Sequence, residues 1–424
     1  MSRHHDENAF GDLPENVERW TAKRRVAVVS TNVIQHFPPL YRALALHPEV
    51  EPLVIYASKA GLTAYRDAGF GVDVAWDSDL TSGYAYQFLP GAGDAWRASF
   101  LGLRGEGIES CLDAFGPDAV FLFGYTPMVM LRALIYARRR ALPAVMMCDS
   151  ELLHHRPLLT RLAKGLILPP ILRQFSAFMS IGDNNEAYLR HYGVPRSKIL
   201  RGGYPTDEPA FFRARQHRAA LREQVRRRWG IDPDAFVGLC VGKLIERKRP
   251  GDLIDALALL RSRTERPVHV VFAGDGPLRA ELEARARQLT RRAVVFEGFI
   301  SQKALPETYA AADVLLHPAD HDPHPLTVTE AILVGLPVVV SDRVGAVGPT
   351  DTARPGANAQ IYPAGDIQRL AGILEHLANN PEEVRRMGEA SLDVARETGL
   401  DAVVRGFVAA VTSAVREAEK RRDA

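Results

Sequence analysis

A chain of 424 residues is too long for one ordinary hydrophobic core and comfortable for two domains. Lys+Arg 53 against Asp+Glu 51 leaves a formal charge of +2, which excludes a nucleic-acid binder working through bulk charge, while 46% hydrophobic and 25% charged residues is the balance of a soluble globular protein. The three cysteines, Cys111, Cys148 and Cys240, have an odd count and no metal-ligand spacing; they exclude a disulfide framework and point to a reducing, cytoplasmic setting.

Residues 1–23 read as a polar tail, with charges of both signs and none of the apolar core of a signal peptide. No apolar run reaches the roughly 20 residues that a membrane span needs. Arg25–Ser30 (RVAVVS) is a short run rich in β-branched residues, the pattern of a buried parallel strand. A helix is predicted over Pro39–Leu46, with proline in its first turn. Further strands are predicted at Glu51–Tyr56, Ala119–Phe123 and Ala144–Met147, with a helix over Val129–Arg140. The segment Leu158–Phe175 mixes Arg161, Lys164 and Arg173 with many leucines and isoleucines. It reads either as a pair of core helices or as a basic amphipathic patch resting on a membrane that presents a lipid-linked acceptor.

Gly202–Phe212 (GGYPTDEPAFF) breaks the pattern and reads as an interdomain linker. A charged helix follows over His217–Trp229, and strands are then predicted at Val237–Val241, Val268–Ala273, Val294–Phe296, Val314–His317 and Pro337–Ser341. Helices fall between them, at Gly251–Arg261, Pro277–Leu289 and Thr327–Val334, and the chain closes with helices over Asp366–Leu377, Pro381–Glu397 and Asp401–Arg421. The basic runs Arg138–Arg140 and Arg226–Arg228 read as solvated helix faces. Strand–helix alternation at this spacing gives an α/β fold of two Rossmann-like, doubly wound domains, 24–205 and 206–398, with a last helix over 399–424 packing back toward the first. Such sheets bind ligands beyond the carboxyl ends of their strands, so two facing halves define a central cleft.

Two constellations carry the chemistry. In Val241–Lys248 (VGKLIERK), Lys243 and Lys248 stand five apart on the loop after a strand, where two ammonium groups converge on a diphosphate and favour its departure; the alternative is a solvated turn. In Asp322–Ala331 (DPHPLTVTEA), two carboxylates stand eight positions apart, one on a loop and one in the first turn of a helix. A helix amino terminus offers N–H groups to anions and hydroxyls, and the ionised Glu330 is an acceptor suited to a ribose diol. The competing reading is a capping box in which Glu330 only satisfies the Thr327 backbone. Val271–Pro277 holds Gly274-x-Gly276, a weak signal that tight turning also explains, and Val339–Gly345 is another strand end with a loop. In the first half, Cys148–Arg156 (CDSELLHHR) follows a strand; either His154 or His155 points inward, or the segment is a surface loop.

Together these motifs resemble glycosyltransferase family 4, retaining enzymes with the GT-B fold. The resemblance is strong over Val237–Leu377: Gly242–Lys248 stands for the family's Gly-Arg-Leu-x-x-x-Lys, and Asp322 to Glu330 for its Glu-x7-Glu. Ala331–Ser341, Gly274–Leu278, Glu297–Phe299 and Ala311–Pro318 follow in their usual order. The resemblance implies that Lys243 and Lys248 hold a donor diphosphate, Asp322 faces the donor sugar and Glu330 binds the ribose. It implies too that the backbone near Phe299 and Ile300 meets the base, that Gly274, His324, Leu326 and Thr327 line the donor site, and that His154 or His155 lies by the transferred sugar. The N-terminal domain would bind a carbohydrate or lipid-linked acceptor, and the nucleotide sugar would be a co-substrate with no cofactor and no metal. Lysine at 243 in place of arginine loses a bidentate fork, Asp322 is one methylene shorter than glutamate, and Pro325 removes a backbone donor. Ser30–Phe37 stands where the family has a glycine pair. The implied function is retaining transfer of a sugar from a nucleoside-diphosphate donor to an acceptor hydroxyl in surface polysaccharide or glycan biosynthesis, in the cytoplasm or at the inner membrane face. The alternatives are a 2-epimerase-type sugar-nucleotide epimerase and a non-catalytic sugar-nucleotide-binding scaffold.

Overall fold

A computed structural model describes residues 23–62, 65–66, 73–74, 79–94, 99–154, 156–260, 264, 266–289 and 293–423. The expected polar tail, save Lys23, and His155 lie outside the described residues.

The first half contains strands β1 (Arg24–Ser30), β2 (Val50–Tyr56), β3 (Tyr65–Arg66), β4 (Asp73–Val74), β5 (Ala85–Phe88), β6 (Ala119–Phe123), β7 (Ala144–Met147), β8 (Ala177–Ser180) and β9 (Ile199–Arg201). Seven of them form one parallel sheet in the order β5-β2-β1-β6-β7-β8-β9, while β3 and β4 pair separately and antiparallel. The second half contains β10 (Phe236–Val241), β11 (Val268–Ala273), β12 (Val294–Gly298), β13 (Val314–His317), β14 (Val338–Ser341) and β15 (Ala359–Tyr362), a parallel sheet in the order β12-β11-β10-β13-β14-β15. Each sheet reverses its order of addition beside its first strand, between β1 and β6 and between β10 and β13. These are the switch points at which loops splay apart and ligands bind. The two Rossmann-like domains read from the sequence are therefore present.

The central strands are buried on both faces, which explains their continuous β-branched runs: Val26 to Ser30 of β1 are all inaccessible. One face of the first sheet packs Ala27, Val29 and Val120 against Val129, Ala133 and Leu168 of its crossover helices. The other face packs Val26, Val28 and Phe121 against Val403, Phe407 and Val411 of the last helix, Leu400–Asp423. The Phe121 and Phe407 rings stack at 4.4 Å. One 18-residue window within Pro381–Asp423 is apolar enough to cross a membrane by composition, with a mean hydropathy of 1.3, yet Val403, Phe407 and Val411 cover the first sheet.

Two sequence expectations need correction. The linker read over Gly202–Phe212 ends at Asp207, because Glu208–Gln216 is a helix with Pro209 in its first turn and Phe211 in the C-terminal core. Proline there starts a helix rather than breaking one. Nor is Arg226–Arg228 simply a solvated face. Arg226 is 1% exposed; its Nη2 pairs with Asp313 Oδ2 at 2.8 Å, and it donates to the carbonyls of Ala311, Pro233 and Ala235. Burial lowers its pKa to about 10, so the guanidinium stays charged and is matched by a carboxylate.

Candidate functional site

The site is built on loops at the carboxyl ends of the second sheet. After β10 the chain turns at Gly242, with φ +131°, and presents Lys243. The loop after β11 lies directly on it: Leu244 N–H donates to Asp275 O at 2.9 Å, and Leu278 N–H to Leu244 O at 3.1 Å. A Cβ on Gly274 would sit 1.8 Å from Gly242 O, and one on Gly276 2.5 Å from Leu244 O. The Gly274-x-Gly276 pair thus lets two backbones touch and fixes the lysine loop. A single 3₁₀ turn, Glu246–Lys248, then carries the second lysine.

Lys248 Nζ pairs with Asp322 Oδ2, an oxygen that also meets His317 Nε2 at 2.8 Å. His317 Nδ1 lies 3.4 Å from Thr327 Oγ1. Burial and the Lys248 charge depress the His317 pKa, so the ring is neutral and Lys248 is the cation facing Asp322. Nε2–H then donates to the carboxylate and Nδ1 accepts from the threonine hydroxyl. Burial alone would raise the Asp322 carboxyl; His317 and Lys248 together hold it far below its ordinary range.

The helix Leu326–Leu333 begins after Pro325, and no side chain caps it. Thr327 is its second residue, so the capping-box reading fails. Glu330 is instead buried, with Oε2 accepting from the Tyr309 hydroxyl at 2.7 Å. Burial pushes the Glu330 pKa up to about 7, against the opposing pull of the Tyr309 hydrogen bond. Its carboxyl is thus poised between acid and carboxylate near neutral pH.

Across the cleft, buried Glu151 spans both domains. Its Oε2 accepts from the backbone N–H groups of Leu153 and His154, and its Oε1 meets His321 Nε2 at 2.7 Å. The exposed His154 ring lies 4.4 Å from the His321 ring. Lys248, Asp322 and Thr327 are therefore joined through His317, and His154 is brought to the neighbouring loop through His321. His324 points elsewhere, with Nε2 3.0 Å from Asp351 Oδ1, and its ring is 5.7 Å from that of Tyr204. Tyr204 in turn meets His36 of the loop after β1 at 5.4 Å. Lys243, Leu326, Phe299 and Ile300 are half-buried, and Gly274 bridges Gly298 next to Phe299.

A clasp fixes the domains beside these residues. Asp351 Oδ2 accepts from Asp183 N at 2.7 Å, Asp183 accepts from Thr350 N at 2.9 Å, and Asn184 Nδ2 donates to Val347 O at 2.8 Å. A gap of about 10 Å³ by Tyr204, His324 and Asp351 is too small for anything beyond about one water. A larger cavity of about 320 Å³, lined by Arg215, Arg218 and Arg266, opens at the amino ends of the second sheet's strands, away from this chemistry. The sequence singled out neither His317, Tyr309, His321 nor Asp351. His317 closes a predicted strand next to a proline, and its orientation depends on a fold-level contact with Thr327.

Residues 222–393 match the family described as Glycosyl transferases group 1. Over 162 residues the chain is 34% identical to a GDP-mannose-dependent alpha-mannosyltransferase of Mycobacterium tuberculosis, which is 38% of this chain and 39% of that protein. Over 230 residues it is 30% identical to a D-inositol 3-phosphate glycosyltransferase of Thermomonospora curvata, 52% of this chain and 48% of that one. The chain thus spans less than half the length of these two curated relatives. A glycosyltransferase structure from Rickettsia africae superposes with a TM-score of 0.69 at 11% identity, covering 93% of this chain and 99% of that one. Anabaena HepE in complex with UDP and glucose superposes with a TM-score of 0.66 at 16% identity, covering 92% and 100%. The lysine loop, the Asp322–Glu330 segment and the glycine turn all lie inside the matched span, so the similarity to group 1 glycosyl transferases falls on the segment that carries the site, in a chain with the GT-B fold.

Proposed function

We propose that the protein is a retaining glycosyltransferase that moves a sugar from a nucleoside-diphosphate donor to an acceptor hydroxyl in surface polysaccharide or glycan biosynthesis, on the cytoplasmic side of the cell. The observation that carries this reading is the convergence of the lysine loop and the uncapped amino end of the helix Leu326–Leu333 at one end of one sheet. As the glycosidic bond to phosphate lengthens, negative charge grows on the diphosphate. Ammonium groups and helix N–H donors already in place stabilise that charge more than the ground state, which lowers the barrier. Asp322 holds the Lys248 ammonium in place through one contact, and that group keeps two further N–H donors for phosphate oxygens. Glu330, when ionised, accepts from a ribose diol. The loop carrying His154 brings the acceptor domain to the donor, and this charge stabilisation takes the place of a metal ion. The relatives named for mannosyl and inositol-phosphate glycosyl transfer favour transfer over the epimerase and scaffold readings.

The test is incubation of the pure protein with a panel of nucleotide sugars and acceptors, followed by mass spectrometry. Released nucleoside diphosphate with a glycosylated product of retained anomeric configuration supports the proposal. An isomerised nucleotide sugar, or saturable binding without turnover, contradicts it.

A further inference from the structure

The helix Leu158–Leu172 is the crossover between β7 and β8, yet only its last turns join the core: Leu168 and Leu172 are buried, and every residue from Leu158 to Ile167 is exposed except half-buried Lys164. Large apolar side chains make up half of this exposed stretch. Leu158 is 67% exposed, Leu159 81%, Leu162 57%, Leu166 79% and Ile167 57%. At about 100° per residue these five span one half of the helix circumference. They form a contiguous projecting patch, which monomeric surfaces rarely carry without a partner.

The charges say which partner. Arg156 precedes the helix, Arg161 and Lys164 lie on the arc opposite the leucines, and Arg173 follows its end. No acidic residue occurs anywhere from Arg156 to Arg173. A protein interface of this kind has no need of a cationic rim free of carboxylates, whereas a bilayer with anionic headgroups over an apolar interior matches both features. Leucines enter the acyl boundary while the long Arg and Lys stems carry their charges to the phosphates. The helix also begins three residues after His155, so whatever it rests on lies next to the loop through which Glu151 and His154 reach His321.

We infer that the helix Leu158–Leu172 is an interfacial anchor that seats the N-terminal domain on an anionic bilayer, with the mouth of the cleft at the membrane surface. The docking stands independently of the transferase reading. If that reading holds, the anchor makes a membrane-borne lipid the natural carrier of the acceptor hydroxyl.

The experiment is co-sedimentation of the full chain with vesicles of phosphatidylcholine alone and of phosphatidylcholine doped with phosphatidylglycerol. The wild type is expected to pellet with the doped vesicles at low salt, and to release as salt rises. Leu159→Ser/Leu166→Ser should weaken partitioning at least about tenfold on doped vesicles, because it removes two apolar insertions. Arg161→Gln/Lys164→Gln should erase the preference for doped over neutral vesicles. All four side chains are at least partly exposed, so unchanged circular dichroism and melting verify that both variants fold. Equal partitioning of the wild type and the leucine variant overturns the inference. So does a concentration-dependent dimer that the leucine variant dissociates while neither protein binds vesicles, since that result assigns the face to a second copy. Donor hydrolysis measured in the absence of lipid separates the two claims, because the leucine variant should retain it in full.

Discussion

At the scale of single residues, the chemistry turns on how two buried carboxylates, Asp322 and Glu330, are charged. Glu330 has a folded pKa of about 7 against an ordinary 4.5 because burial penalises the anion. A raised folded value means that the native state holds its proton more tightly. The resulting stability is complete below about 4.5 and is lost as pH rises through about 7. Glu330→Gln is therefore expected to be more stable than the wild type at pH 8, by on the order of 1–3 kcal/mol, with the gap closing toward pH 5; denaturant melts across this range check it. Donor binding should run the opposite way, since the ribose needs the ionised acceptor. Affinity should fall about tenfold from pH 8 to pH 6 in the wild type and stay flat in the glutamine variant, as read by calorimetric titration. Lys248→Ala leaves Asp322 buried beside a neutral imidazole. It should cost about 2 kcal/mol of stability at neutral pH and at least about tenfold in turnover. Because the Asp322 pKa is depressed, that stability gap should shrink as pH falls below the ordinary carboxylate value of 3.8. The residue types at 243, 248, 322 and 330 were legible because their spacing along one loop and one helix is local. Their partners were not. The Thr327/Glu330 pattern suggested a cap, but Pro325 starts the helix early and Tyr309, 21 positions away, takes the carboxylate.

At the scale of elements, the glycine turn after β11 is a packing device as much as a binding one. Gly274→Ala should destabilise the protein by about 2 kcal/mol or more, because its Cβ meets Gly242 O and its φ of +159° suits no other residue. The same substitution should weaken donor binding by displacing the Lys243 loop. Gly372→Ala is the control: it lies inside the helix Ile367–Asn379 with open space around it and should stabilise slightly, by about 0.5–1 kcal/mol. Chemical melts of the two variants decide between packing and a general dislike of alanine. The buried strands β10 and β11 were read to within a residue, because continuous β-branched runs have few other uses, whereas β8 is equally buried but has no β-branched residue and went unread. By contrast, β5 went unread: Ala85, Tyr86 and Gln87 are exposed on a sheet edge and have no apolar pattern to find. Arg226 was misread for a related reason, since the carboxylate that allows its burial, Asp313, lies 87 positions along the chain.

At the scale of the whole molecule, the last helix makes the fold non-modular. Val403, Phe407 and Val411 complete the core of the first sheet after the chain has finished the second. Each such side chain contributes about 1.5–3 kcal/mol of burial, and together with Val408, Ala414 and Val415 they approach the entire stability of a domain. A chain ending at Gly399 is expected to lose the N-terminal melting transition in scanning calorimetry, rather than to show two intact transitions. The same helix, with the Asp183–Thr350 and Asp351 clasp, ties the first half of the chain to the second.

The most direct measurement is a crystal structure of the protein soaked with a nucleoside-diphosphate sugar. The account predicts diphosphate oxygens at about 3 Å from Lys243 Nζ and Lys248 Nζ and at the amino end of the helix Leu326–Leu333, with the ribose on Glu330. A diphosphate bound instead among Arg215, Arg218 and Arg266, or both ammonium groups turned away from it, would contradict the account.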